Sequence, residues 1–279
     1  MSKSLQLKEE GNRHFQAGDY IGADSLYSKA SPIHPTSIIA DPKNPALYTN
    51  RAMARLKLNH WDSVISDCET CLSLSPNNMK AHYYLAQAQL SLRDFDGALQ
   101  HALEAHKLCA ANNDKSLAAV TGIVLRCKKE RWADREKKRL RLETEVEDRM
   151  VELLRKERDE MLAAVAPGDE AERKAIEDEA DERMNVLRNV FEAAREQNQK
   201  KREVPEWAID DISFNVMVDP VITKTGKSYE RASIMEHLRR HPSDPLTREP
   251  LTPADLRPNL ALRQACEEFL DKNGWAADW

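Results

Sequence analysis

The sequence predicts a mostly α-helical chain in three parts: an array of helix pairs, a long charged helical hairpin, and a small α+β module at the C-terminus. Three observations carry that prediction. A pattern of small and aromatic residues recurs in the first part at a spacing of 34 residues. Residues 128–203 are charged at 42 of 76 positions and hold one proline, Pro167, which suits extended helices. Prolines then return at 205, 220, 242, 245, 250, 253 and 258, which suits short elements joined by turns. The boundaries expected are therefore near 128 and 204, and a length of 279 residues is itself more than one typical domain.

Composition narrows the function classes. The chain is 32% charged and 6% aromatic, too charged for one large core, yet at 41% hydrophobic it is too apolar for a disordered polymer. A net charge of −5 gives no electrostatic reason to expect nucleic acid. The locally basic stretch from Lys128 to Arg141 is interrupted by Glu130, Asp134 and Glu136 and has Trp132 alone as an aromatic platform, a weak signal for nucleic acid or lipid. No apolar run is long enough to span a membrane, and the N-terminal residues carry no apolar signal core. Five scattered cysteines then read as free thiols in a reducing compartment, cytoplasmic or nuclear as well.

The repeats come first. Ala52, Val64, Cys68, Cys71 and Pro76 recur 34 residues later as Ala86, Ala98, Ala102, Ala105 and Ala110, and Trp61-Asp62 recurs as Phe95-Asp96. Going back 41 residues gives Gly11, Ala23, Tyr27, Ala30 and Pro35, with Tyr20 under Trp61. Three repeats follow within residues 1–127, at about 4–35, 45–78 and 79–112, together with the start of the long helix, and the extra seven residues fall in a proline-rich first inter-repeat loop that cannot continue a helix. Cys68-x-x-Cys71 looks like half a zinc site, but both positions belong to the small-residue core and no second pair lies nearby, so buried thiols are expected.

This pattern resembles the tetratricopeptide repeat, a pair of antiparallel helices that stacks into a superhelix with a concave groove. In that register Lys8, Asn12, Asn50, Lys57, Lys80, Tyr83 and Tyr84 all fall on the first helix of their repeat. Lys8 and Asn12 share a helix face, and ammonium and amide donors converging in a groove suit carboxylates. The arrangement resembles the carboxylate clamp of chaperone-binding tetratricopeptide domains. That resemblance implies binding of the C-terminal Glu-Glu-Val-Asp tail of the heat-shock seventy and ninety chaperones, with Tyr83 and Tyr84 against the peptide's apolar side chain. The family's further acidic clamp residue aligns at or near Ala119, with Asp114 as the carboxylate that could stand in.

The middle part contains no Gly or Pro from Lys128 to Ala166, enough for a helix of roughly 58 Å. Pro167-Gly168-Asp169 is a turn signal, Asp169 is a candidate cap, and a second helix is expected from about 170 to 201. Apolar residues keep spacings of three and four on both helices, leaving a thin seam that needs a partner. An antiparallel hairpin pairing with a second copy, a coiled-coil homodimer, fits best; a solvated spacer helix is the alternative.

The last part reads as a strand at Val221-Ile222, a turn at Thr225-Gly226-Lys227, a partner strand at Ser228-Tyr229-Glu230, a helix over 231–240, a proline-punctuated loop, and a closing helix over 259–272. Cys266 sits on the apolar stripe of that last helix, which argues for burial and against a nucleophile. The stretches DPVITKTGKSYER, DPLTREPL and PNLALR resemble the U-box, the metal-free relative of the RING finger. Cys266, His237 and His241 are far too few to ligate two zinc ions, so no metal or other cofactor is expected and hydrogen bonds and ion pairs must hold the loops. Candidates are Asp219, Glu230, Asp244 and Arg248.

In that family an apolar groove binds a ubiquitin-conjugating enzyme. The resemblance places that surface at Ile212, Phe214, His237, Pro245 and Arg248. It implies that Arg248 is the catalytic positioning donor, holding conjugating enzyme and ubiquitin so that no covalent intermediate forms on the ligase. The order of parts resembles the chaperone-associated ubiquitin ligases that combine tetratricopeptide repeats with a U-box, acting in protein quality control. A non-enzymatic co-chaperone adaptor, and a U-box ligase with another peptide partner, remain the alternatives.

Overall fold

The computed structural model describes residues 3–30, 43–198 and 202–279. The longer loop expected between the first two repeats lies outside the described residues, apart from its end at Lys43 and Asn44. The chain divides into two compact units, one made of residues 1–132 with 206–279 and the other of residues 133–205.

The first unit opens with three helix pairs. They are α1 (Lys3–Gln16) with α2 (Tyr20–Ala30), α3 (Pro45–Lys57) with α4 (Trp61–Leu74), and α5 (Met79–Ser91) with α6 (Phe95–Ala111). Local chemistry sets their ends. Asn44 accepts from the Ala46 amide at 3.1 Å, Asn78 from Ala81 at 3.2 Å and Asp94 from Gly97 at 3.1 Å, satisfying amides that have no intrahelical partner. The turn within each pair carries a left-handed residue at the same register: Gly18, Asn59 and Arg93, with φ of 80°, 60° and 66°. Gly11 stands where Ala52 and Ala86 stand in the later repeats, because a Cβ there would meet the Tyr27 ring at 2.6 Å.

The small-residue positions form the core as expected. Ala52, Val64, Cys68, Cys71, Ala81 and Leu85 pack into one cluster, and Ala86, Ala98, Ala102, Ile123, Val124 and Cys127 into the next. Burial pushes the Cys71 thiol up to about 11, and Cys68 higher still.

The long helix begins earlier than its charge suggests. α7 runs Leu117–Ala164, and its first turns are apolar: Leu117, Val120, Ile123, Val124 and Cys127 cover the open end of the last repeat. The compositional boundary at 128 is thus not a break in the backbone.

The C-terminal module holds a three-stranded antiparallel sheet of β1 (Pro220–Ile222), β2 (Ser228–Glu230) and β3 (Arg257–Pro258) in the order β2-β1-β3, with α9 (Arg231–Arg240) and α10 (Leu260–Lys272). The two hairpin strands and their turn fall where the sequence placed them, and their register pairs Pro220 with Glu230 and Ile222 with Ser228; β3 is an addition to that reading. Val221, Tyr229, Ile234, Met235, Leu238 and Leu251 form its core.

This module packs on α6 and α7. Ala232 joins the cluster of Ala105, Cys109, Leu117 and Val120, and Val218 lies against the cluster of Ile123 and Val124. The basic stretch supplies the polar rim. Lys128 reaches Asp271 at 3.0 Å, Arg131 the same carboxylate at 3.2 Å, Lys129 pairs with Asp278, and the Trp132 indole donates to the Lys272 carbonyl at 3.0 Å. The first three cations of the stretch, Lys128, Lys129 and Arg131, are thus bound within the fold.

In the second unit, the remainder of α7 lies antiparallel to α8 (Glu170–Asn198), with a turn at left-handed Gly168. Asp169 caps α8 by accepting from the Glu172 amide at 3.1 Å. Glu147 pairs with Arg195 and Glu157 with Arg183 at 3.3 Å, which sets the antiparallel register. Ala180 and Met184 are buried, but Leu153, Val186 and Val190 are more than half exposed along an open apolar groove with Met150, Leu154 and Leu187.

Candidate functional site

Two loops of the C-terminal module share one construction. Each starts with a buried aspartate, Asp210 or Asp244, and ends four residues on with a non-glycine residue in the left-handed region, Phe214 (φ 59°) or Arg248 (φ 61°). The Phe214 amide donates to the Asp210 carbonyl at 2.8 Å and the Arg248 amide to the Asp244 carbonyl at 2.9 Å. Each loop closes with a return bond, Asp210 amide to Asn215 carbonyl at 2.9 Å and Asp244 amide to Glu249 carbonyl at 2.8 Å. The aspartate side chains pin the turns. Asp210 Oδ2 accepts from the Ser213 amide and hydroxyl at 2.8 and 2.7 Å, while Asp244 Oδ1 accepts from the Leu246 and Thr247 amides at 2.9 and 3.1 Å. Left-handed backbone costs a β-carbon residue about 1–2 kcal/mol, and these bonds offset it.

The tips are where this construction becomes a surface. Phe214 is 70% exposed and Leu246 is 60% exposed. Arg248 is exposed and Pro245 half-buried. Ile212, which the sequence places on the same surface, is half-buried and packs partly into the module's core. His237 is half-buried, and its Nε2 lies 3.0 Å from the Ser243 carbonyl, so one ring nitrogen holds the start of the second loop.

The expected loop-holding network is corrected at one member. Arg248 makes no side-chain ion pair among the described residues. Its place is taken by Asp210, which the sequence reading missed; the signal was its i, i+4 spacing to Phe214, matched by Asp244 and Arg248. Asp219 accepts from Arg231 Nε at 2.6 Å, and the Glu230 carboxylate accepts from the Val218 and Asp219 amides at 2.7 and 2.9 Å.

Glu230 carries a pH dependence. Burial pushes its carboxyl from 4.5 up to about 7, against the lowering effect of the two amide donors. Folding thus favours its protonated form. The stability it contributes is complete below pH 4.5, and declines as pH rises to about 7, by roughly 3 kcal/mol. Glu230→Gln keeps an oxygen for both amides and carries no charge. Denaturant melts of the module followed from pH 5 to 8 are expected to lose that slope in the variant and to show it gaining stability over the wild type at pH 8.

In the first unit the predicted groove residues divide. Asn12 and Asn50 meet: Asn50 Nδ2 donates to Asn12 Oδ1 at 3.1 Å, and the same oxygen accepts from the Tyr27 hydroxyl at 2.8 Å. Both amide groups are thereby oriented from α1 and α3. Lys8 is half-buried on α1, Lys80 exposed on α5, and Lys57 exposed at the end of α3. The Tyr83 and Tyr84 rings lie 5.8 Å apart, each partly sunk in the repeat core, and burial pushes the Tyr84 phenol up to about 12. Asp114 accepts from the Ser116 amide at 2.8 Å in the turn before α7, a bond that lowers its pKa, with Lys80 adding to the effect. That puts Asp114, rather than Ala119, within electrostatic reach of Lys80.

The U-box domain family matches residues 204–275. The E3 ubiquitin-protein ligase CHIP of Arabidopsis thaliana is 32% identical over 280 residues, covering 97% of this chain and 94% of its own length. This chain belongs to the CHIP family. A DnaJ homolog subfamily C member 7 homolog of Dictyostelium discoideum is 32% identical over 107 residues, 38% of this chain and 19% of its own. Among solved structures, the first TPR of Spaghetti (RPAP3) bound to the HSP90 peptide SRMEEVD is 31% identical over 42% of this chain and 90% of its own, with a TM-score of 0.36, too low to carry structural weight.

As a member of the CHIP family the protein is a U-box E3 ubiquitin ligase, and the C-terminal module is the U-box. Cys266 is buried in it, and burial pushes its thiol up to about 11, so it is not poised as a nucleophile in this CHIP-family chain. The chemistry open to the module is positioning, and the groups at its tips are Phe214, Leu246 and Arg248.

Proposed function

We propose that this ligase binds the C-terminal Glu-Glu-Val-Asp tails of heat-shock seventy and ninety chaperones in its repeat groove. It recruits a charged conjugating enzyme on the paired U-box loops and passes ubiquitin to chaperone-bound clients. The meeting of Asn12 and Asn50, in which Asn50 donates to Asn12 and so fixes side-chain amides of two helices against each other, is the observation that carries the tail reading. Lys8 and Lys80 supply charge, and Asp114 orients the Lys80 side of the groove. For the U-box, exposed Phe214 on one loop and Pro245 on the other offer an apolar seat, and Arg248 supplies five donors for both enzyme and ubiquitin.

The test of the tail reading is titration of a Glu-Glu-Val-Asp peptide, with a free or an amidated terminus, into the wild type and Lys80→Ala. Micromolar binding that weakens at least tenfold on amidation and on Lys80→Ala, and falls with salt, is expected. Binding indifferent to both changes would leave a U-box ligase whose groove reads another peptide.

The same proposal includes a homodimer through the hairpin. A half-exposed apolar seam of Leu153, Val186 and Val190 on an otherwise charged hairpin matches a second copy of itself. Leu153→Glu with Val186→Glu is expected to halve the mass seen by light scattering, with helicity retained; a wild type that is monomeric at tens of micromolar would defeat the idea.

A further inference from the structure

The two U-box loops are anchored from below in different ways. Asp210 Oδ1 accepts from a backbone amide, Glu230 N, at 2.9 Å, so the Phe214 loop is tied to the main chain of β2. Asp244 is tied to side chains instead. The Tyr229 hydroxyl donates to Oδ1 at 3.0 Å and the Thr225 hydroxyl to Oδ2 at 3.1 Å. Tyr229 is fully buried in the core and Thr225 sits in the β1–β2 turn. Burial alone would raise the Asp244 carboxyl, but the Thr247 and Leu246 amides with these two hydroxyls hold it below the ordinary range, so the loop is held by a charged acceptor.

We infer that Tyr229 is a positioning residue for ubiquitin transfer: through Asp244 it fixes the left-handed backbone of Arg248 and so the direction of the guanidinium. The inference rests on the proposed role of Arg248. The chain of contacts is short. The phenol sets the Asp244 rotamer, the rotamer holds Oδ1 under the Leu246 and Thr247 amides, and that turn places Arg248 at φ 61°. Without the hydroxyl the carboxylate loses one of its donors. The backbone of Arg248 then relaxes toward negative φ, which is favoured for a residue with a β-carbon and swings the side chain away. The Phe214 loop has its own backbone anchor and is unaffected.

This predicts a split that a merely structural tyrosine would not give. Full-length wild type, Tyr229→Phe, Thr225→Val and Arg248→Ala are compared for two quantities: single-turnover discharge of a ubiquitin-loaded conjugating enzyme to free lysine, and affinity for the same enzyme without ubiquitin. Tyr229→Phe keeps the ring and is expected to slow discharge three- to tenfold while the affinity changes less than twofold. Thr225→Val, which touches the other carboxylate oxygen from an independent element, is expected to act in the same direction. If Arg248→Ala discharges at the wild-type rate, the proposed role of Arg248 fails and this inference with it. If Arg248→Ala is slow while both hydroxyl variants match the wild type, the inference alone is overturned. Loss of discharge and affinity in equal proportion, with a lowered melting point, also overturns it and makes Tyr229 a core residue only.

Discussion

Arg248→Ala is expected to reduce ubiquitin discharge at least tenfold, and toward a hundredfold with weakly bound conjugating enzymes, with little change in the stability of the U-box. On the structural side the guanidinium is exposed and has no ion pair among the described residues, so its removal leaves no buried charge or orphaned donor behind. On the functional side, the role proposed for Arg248, holding two bound proteins in an attack-ready pose, acts on the barrier, and each factor of ten corresponds to about 1.4 kcal/mol. Arg248→Lys sharpens the test. Lysine keeps the charge but cannot present the planar fork, so it is expected to recover a minor part of the rate. Discharge assays at saturating conjugating enzyme read the effect. A full rate in the alanine variant would mean that recruitment through Phe214 and Pro245 is sufficient.

Asp67→Ala is expected to destabilise the repeat domain by about 3–5 kcal/mol. Asp67 and Arg51 are 1% and 2% exposed, and they meet in a fork: Arg51 Nη2 to Oδ1 at 2.5 Å and Nε to Oδ2 at 3.0 Å. Arg55 adds a bond to Oδ2 at 3.0 Å while its Nε holds Asp24 at 2.8 Å, so the network ties α2, α3 and α4 together across the first two repeats. Removing the carboxylate strands the Arg51 charge in the core, where among the described residues it keeps the Ser28 hydroxyl at 3.5 Å and the Tyr48 ring at 5.8 Å. The neighbouring Asn50 shares α3 with Arg51, so peptide binding should fall with the loss of packing. Hydrogen exchange over residues 45–74 is the appropriate readout, because a protein with two units does not melt as one. An Arg51→Met, Asp67→Leu double variant is expected to regain most of the loss, since the cost lies in the unpaired charge. A double variant as unstable as Asp67→Ala would place the cost in packing instead.

Much of the architecture was legible because it is local. The 34-residue recurrence placed the helix pairs, since small residues at fixed register are what lets neighbouring helices approach. The turn residues Thr225-Gly226-Lys227 and the cap Asp169 set a hairpin and a helix start, since each acts within a few positions of itself. The charge run begins at 128, but the apolar turns that dock α7 on the last repeat begin at Leu117, and only contact with that repeat shows where the helix starts. Arg51 and Asp67 escaped notice because charged residues in an amphipathic repeat read as surface until a partner is known. Leu246 escaped because an apolar residue between Pro245 and Arg248 looks like core.

By itself the sequence determined the mostly helical class, the helix pairs, the two hairpin strands with their turn and the residue types at the loop tips, all consequences of periodicity, capping and turn chemistry. Only the tertiary structure decided which polar groups meet. Tyr229 with Asp244, Arg51 with Asp67 and Lys128 with Asp271 are separated by 15, 16 and 143 residues. A buried polar group needs a partner wherever the fold supplies one, and that partner's place along the chain leaves no periodic trace.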